Sequence, residues 1–156
     1  MSIAASVKEY LDKNHIEYDV VRHPRTESSM QTAEMAHIKG DQLAKSVLLE
    51  DESGYVLAII PSTHHVELDR INDQLERDLE LATETEISSL FQDCARGAIP
   101  VLGPAYKIPT IVDDDLMLQP DIYFEAGDHE ALVHLTGHQF RQMVSEMEHG
   151  HLSRHL

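Results

Sequence analysis

The stretch 43–60 constrains the fold more than any other part of the chain. Residues 43–50 and 55–60 are rich in Leu, Val and Ile, and the four residues between them, Asp51-Glu52-Ser53-Gly54, are turn formers. Two apolar, branched runs joined by a glycine-containing turn predict a β-hairpin. That commits the chain to a sheet, and the remaining segments have to be arranged around it.

Those segments are of both kinds. Ile3, Val7, Tyr10 and Leu11 recur at helical spacing and predict a helix ending near Asn14, with Ser2 or Ser6 as N-cap. Tyr18, Val20 and Val21 make a short strand stopped by His23-Pro24. A second helix covers 30–38, with Lys39-Gly40 as its stop. After the hairpin, Val66, Ile71 and Leu75 predict a helix and 79–82 a short strand. Ile87, Leu90 and Phe91 mark another short helix, opened by Thr83 or Thr85. Strands follow at 109–113, 121–125 and 131–135, then a closing helix with Phe140, Met143, Val144 and Met147. Residues 148–156 read as a polar, His-rich tail fraying in solvent, and Asp113-Asp114-Asp115 as a solvated acidic turn. Helices and strands alternate without a strict βαβ pattern. The expected fold is therefore α+β: a single domain over 1–156 with a mixed, largely antiparallel, barrel-like sheet flanked by helices.

Composition narrows the function. Twelve Lys+Arg against 28 Asp+Glu give a formal net charge of −16. That excludes broad, non-specific binding to DNA or other nucleic acid, which needs a basic footprint, but leaves room for a few local phosphate contacts. No apolar run approaches the roughly 20 residues that cross a bilayer, so no membrane role is expected. The start of the chain has neither the basic nor the apolar part of a signal peptide. Cys94 is the single cysteine, and a reducing cytoplasm is the expected compartment.

Two features carry candidate chemistry. On a strand, Leu43, Lys45, Val47 and Leu49 point to one face, so Lys45 interrupts an apolar row and must either reach solvent or bind an anion. The loop Arg96-Gly97-Ala98-Ile99-Pro100-Val101-Leu102-Gly103-Pro104 combines glycines, which allow close backbone approach to a ligand, with prolines, which hold one shape. Its N–H groups suit the polarisation of an ester carbonyl.

In order along the chain, these segments resemble a known family. Leu43-Ala44-Lys45-Ser46-Val47-Leu48-Leu49 is similar to the lysine strand of the YbaK/ProX-type aminoacyl-tRNA deacylases, relatives of the editing domain inserted in bacterial prolyl-tRNA synthetase. Val56-Leu57-Ala58-Ile59-Ile60-Pro61 with Val66-Glu67-Leu68-Asp69 resembles the strand and helix that follow. Gly97-Ala98-Ile99-Pro100-Val101-Leu102-Gly103 and Ile108-Pro109-Thr110-Ile111-Val112-Asp113 resemble the substrate loop and its succeeding strand. Ile122-Tyr123-Phe124-Glu125-Ala126-Gly127 stands where the late glycine-containing strand end falls. The resemblance implies the YbaK fold and hydrolysis of the ester joining a small amino acid, such as alanine or cysteine, to tRNA for proline. It implies that Lys45 holds the phosphate beside the terminal adenosine and that amides around Gly97 orient the carbonyl for attack by water. Arg22, Thr26, Ala98, Ile99, Pro100, Glu125, Gly127 and His129 are the further substrate-binding candidates. No metal or other cofactor is implied. The implied partners are the aminoacyl-tRNA 3′ end and an aminoacyl-tRNA synthetase. Two departures stand out: Gly97 and Pro100 are one residue closer than the usual Gly-x-x-x-Pro spacing, and Glu125 replaces a small polar residue.

Other readings of the residues weigh less. Cys94 is a conceivable nucleophile with His64, His65 or His129 as base, but nothing local activates it. The histidines at 64, 65, 149, 151 and 155 lack the spacing of a closed zinc site. The alternative of a different class is a non-catalytic module that binds aminoacyl-tRNA ends or a synthetase.

Overall fold

The computed structural model describes residues 3–24, 29–95 and 97–156. It opens with α1 (Ala5–Lys13), which buries Val7 and Leu11. Neither Ser6 nor any other described side chain caps this helix. Instead its first N–H groups find tertiary partners: Ala4 N donates to Ala126 O at 2.7 Å and Ser6 N to Asp93 Oδ2 at 3.0 Å. β1 (Asp19–Arg22) and α2 (Ser29–Met35) follow. The expected hairpin is present as β2 (Leu43–Asp51) and β3 (Gly54–Pro61), in unbroken register from Ala44↔Pro61 to Asp51↔Gly54.

The helix expected to include Val66 begins later. Val66 ends a strand, β4 (His64–Val66), and α3 (Leu68–Leu75) starts beyond it. β5 (Glu80–Leu81) and α4 (Glu84–Leu90) come next, α4 opened by a reciprocal capping box between Thr83 and Glu86. Three strands, β6 (Thr110–Asp113), β7 (Asp121–Glu125) and β8 (Ala131–Thr136), lead into α5 (Gly137–Met143), which is capped the same way by Thr136 and Gln139.

The principal sheet runs β1-β8-β7-β2-β3-β6, with β5 beside the far end of β2. Most neighbours are antiparallel, but β2 runs parallel to β7 and β3 parallel to β6. The sheet is an open path, and no closed barrel forms among the described residues. One face carries the main core, with Phe91, Phe124, Phe140 and Leu102 fully buried. The other face holds a cluster of Leu49, Ile60, Ile71 and Leu152 and a smaller one of Ala33, Leu43 and Leu132.

The end of the chain does not fray. It forms β9 (Glu148–Gly150), which extends the principal sheet beside β6, and β10 (Ser153–His155), which pairs with β4. The cause is Asp113, which is fully buried rather than part of a solvated turn. Its Oδ2 accepts from Leu152 N at 3.1 Å and from Ser153 Oγ at 2.6 Å, while Oδ1 accepts from Asp115 N at 2.9 Å. His64 Nδ1 lies 2.9 Å from the same serine oxygen. A buried acceptor thus collects three donors from two segments, and Leu152 drops into the second cluster beside it.

Candidate functional site

On one edge, β2 changes partner along its length. It pairs with β7 at Leu43↔Tyr123 and Ala44↔Phe124, and with β5 at Leu49↔Leu81 and Glu50↔Glu80. Between these rungs β2 and β7 part company. Lys45 and Glu125 each lie one residue past the last shared rung. A crevice where parallel strands diverge is a common place for a ligand in sheets of this kind.

The loop after α4 closes the crevice from the other side. Ser46 Oγ donates to Pro100 O at 2.8 Å, tying the loop to the strand beside Lys45. Ala95 N donates to Gly127 O at 2.6 Å, tying its start to the β7–β8 turn. The result is a small cleft of about 160 Å³ lined by Lys45, Ser46, Glu84, Ile87, Gly97, Ile99 and Glu125. Larger depressions exist, such as one of about 380 Å³ lined by Tyr10, Asn14 and Gln142, but that one is not lined by a buried charged group as this cleft is by Glu125.

Lys45 is half-buried, and removal from water lowers its pKa from the ordinary lysine value. Its Nζ has one distant contact, Ser62 O at 3.4 Å, and forms no ion pair among the described residues. A partly buried cation without a close ion-pair partner among the described residues can take an anion.

Gly97 has φ +81°, a left-handed value that favours glycine, and a Cβ there would stand 3.1 Å from His129 Cε1. Gly127 has φ +111°, and its missing Cβ makes room for Ala4. His129, itself at φ +64° and buried, therefore backs Gly97. Gly97→Ala is expected to destabilise the fold by about 1–2 kcal/mol and to displace the loop. Chemical denaturation reads the first effect, and a stability loss below about 0.3 kcal/mol would contradict the close packing of Gly97 on His129.

Glu125 has the least ordinary environment. Its side chain is 8% exposed, and Oε1 lies 3.2 Å from His23 Nε2. Burial, then the nearby Asp128, push its carboxyl up to about 7, opposed by the Thr32 side chain. No described residue closes a well-aligned hydrogen bond on either carboxyl oxygen. Because the folded-state value lies above the ordinary 4.5, this group favours folding most below that pH. The advantage is lost as pH rises through about 7, and the shift amounts to about 3 kcal/mol. Glu125→Gln should therefore gain about 3 kcal/mol on the native protein between pH 4.5 and pH 8. Urea titrations of both proteins at the two pH values measure it, and a constant gap would count against the buried carboxyl.

Of the other predicted residues, Ala98 and Pro100 are buried beneath the loop, with Ile99 facing the cleft. Arg22 ends β1 opposite Ala131 and does not line the cleft. Thr26 and Arg96 lie outside the described residues. Sequence reasoning missed His23, Thr32, Asp128, Ser46 and Glu84. Only Ser46, adjacent to Lys45 in the quoted motif, carried a local signal.

Two constellations that suggest nucleophiles do not supply one. Burial pushes the Cys94 thiol up to about 12, and its partners are Tyr106 and Asp93, not a histidine. Ser153 with His64 and Asp113 is fully buried, and its hydroxyl proton goes to the aspartate rather than to the imidazole.

A family model described as the aminoacyl-tRNA editing domain matches residues 23–143. Among solved structures, the chain is similar to one described as a candidate trans-editing enzyme for prolyl tRNA synthetase. Identity is 23% and the TM-score 0.80, covering 97% of this chain and 96% of that one. A hypothetical protein, APE2540, matches at 16% identity and TM-score 0.83 over 96% of this chain and 99% of the other. A candidate signal-transduction protein from Marinobacter aquaeolei VT8 matches at 22% identity and TM-score 0.77. There 97% of this chain covers 31% of the larger one. No curated protein matches the sequence. At these identities the structures speak for the fold, and the family model, spanning most of the sequence, speaks for descent. The chain belongs to the aminoacyl-tRNA editing domain family.

Proposed function

We propose that the chain is a trans-editing hydrolase that cleaves the ester of mischarged aminoacyl-tRNA, with a small amino acid such as alanine or cysteine carried on tRNA for proline. The observation that carries this reading is the cleft at the β2–β7 divergence, lined both by a half-buried Lys45 that has no ion pair among the described residues and by a glycine loop fixed by Ser46 and the β7–β8 turn. Lys45 binds the phosphate next to the terminal adenosine. The backbone around Gly97, Ala98 and Ile99 orients the ester carbonyl. Water adds to that carbonyl, the tetrahedral intermediate collapses, and the amino acid leaves from the ribose oxygen, with the neighbouring ribose hydroxyl relaying the proton. Positioning and oriented dipoles supply the rate, which fits a site without an activated nucleophile. The cleft's small volume favours small side chains.

Gripping only the acceptor end needs few phosphate contacts, which suits a chain of net charge −16. The reading takes 1–156 as one editing domain acting in the cytoplasm on the tRNA 3′ end, with a synthetase as a second partner. No described helix is long and apolar enough to cross a membrane. The experiment is release of labelled amino acid from alanyl-, cysteinyl- and seryl-tRNA, each on proline and cognate tRNAs. Turnover selective for a mischarged species supports the reading. Retention of charged tRNA without release would favour the non-catalytic module, for which the shortened Gly97–Pro100 spacing is the specific argument.

A further inference from the structure

We infer that Glu125 is the acceptor for a substrate α-ammonium group, so that the cleft takes aminoacyl esters whose amine is free and discriminates against those whose amine is acylated. This rests on the reading of the cleft as an aminoacyl-ester site and adds the chemical feature by which the aminoacyl end is held.

Glu125 lines the cleft that Lys45 and Gly97 line. It is more than nine-tenths buried, and neither oxygen has an aligned donor among the described residues. Buried carboxyl oxygens without donors are uncommon in folded proteins and normally await one. The groups that face it sharpen the case. From the end of β1 comes His23, whose Nδ1 donates to Pro24 O at 2.7 Å and whose Nε2 lies 3.2 Å from Glu125 Oε1 without an aligned hydrogen bond. From the β7–β8 turn comes Asp128, whose Oδ1 accepts from Glu130 N and Ala131 N. Its buried Oδ2 also lacks an aligned donor. α2 contributes Thr32, and the cleft itself adds Lys45 and Glu84. Apart from Lys45 and the Thr32 hydroxyl, the groups around Glu125 are carboxylates and a ring nitrogen, and a primary ammonium brings three donors and the complementary charge.

Lys45 supplies the opposite pole. An aminoacyl nucleotide carries an anionic phosphate on one side of its ribose and an ammonium on the other. A cleft holding one cation and a buried carboxyl pairs with that distribution as it would not with a neutral or wholly anionic ligand. N-acylation removes the charge and adds bulk where a buried carboxyl stands.

The test uses non-hydrolysable amide analogues, 3′-alanylamino- and 3′-serylamino-3′-deoxyadenosine 5′-phosphate, each with a free and an N-acetylated amine. Affinities are measured by calorimetry at pH 8, above the midpoint of the Glu125 carboxyl. The native protein is expected to prefer the free amine by at least about tenfold, as loss of one charged hydrogen bond implies. Glu125→Gln, nearly the same in shape, should bind the free amine more weakly and reduce the preference to about two- or threefold. Equal native affinity for both forms, no measurable binding of either free amine, or an undiminished preference in the variant would overturn the inference. The native comparison needs no variant, so a folding defect cannot mask it. Binding here does not require turnover. A chain that selects the amine yet hydrolyses nothing would lose the proposed reaction and keep this subsite, and a chain that hydrolyses without selecting would do the reverse.

Discussion

Replacing Lys45 by methionine is expected to lower kcat/KM for aminoacyl-tRNA by about 100-fold while leaving the fold as stable as before or slightly more so. The two halves of this expectation have one cause. Burial in the cleft depresses the Lys45 pKa, so the ammonium is disfavoured by its surroundings and contributes nothing to folding that methionine would forfeit. Its compensation must come from a ligand. If that ligand is a phosphate of the acceptor end, methionine leaves the phosphate desolvated without a partner, an effect of about 2–3 kcal/mol in the bound state. Salt gives a second readout. For a single-stranded end, each phosphate contact contributes about −0.7 to the slope of log affinity against log salt, and the variant's slope should be shallower by about that amount. An unchanged kcat/KM, or a loss that follows unfolding, would remove Lys45 from the site.

Asp113→Ala should cost about 3–5 kcal/mol, since it takes the acceptor from the buried Leu152 N–H and Ser153 hydroxyl and from the partly buried Asp115 N–H. For a chain of this size that corresponds to a fall in Tm of about 10 °C. The damage should begin at the C-terminal strands. Amide exchange at 150–155 would rise before that of the β2–β3 hairpin, because β9 and β10 are held to the body through this side chain and short pairings. Asp113→Asn retains an acceptor and should fall between native and alanine. A loss under about 1 kcal/mol for alanine would mean that the tail is held by Leu152 alone.

The tail was illegible in the sequence for the same reason that it is stable. A polar, His-rich stretch has no periodicity to declare a strand, and Asp113 is about forty positions away, with separations of 39 and 40 for its two bonds. Val66 is a similar case: it stands just ahead of the helix-spaced Ile71 and Leu75, but pairing with Ser153 makes it a strand. Where the signal is local, sequence and structure agree. The hairpin around Asp51 and Gly54, the capping Thr83 and the turn at Gly127 are each decided by neighbours within a few residues.

The cleft divides likewise. Lys45, Gly97, Ile99 and Glu125 were legible because a lysine in an apolar row, a glycine–proline loop and a family resemblance each mark them in the chain. His23 read only as a strand stop, and Thr32 only as part of a helix. The approach of His23 to Glu125 follows from the β1–β8–β7 pairing and that of Thr32 from the packing of α2 against β2, neither of which any stretch of sequence displays. Arg22 read as a phosphate contact, but it ends an edge strand beside Ala131 and does not reach the cleft lining.

The most direct test is single-turnover hydrolysis, with protein in excess over alanyl-tRNA for proline, comparing native protein, Lys45→Met and tRNA alone. Native protein should release alanine at least about 100-fold faster than Lys45→Met, which should approach the rate without protein. Native release no faster than tRNA alone, with the protein folded and the tRNA bound, would contradict a hydrolytic site in this cleft.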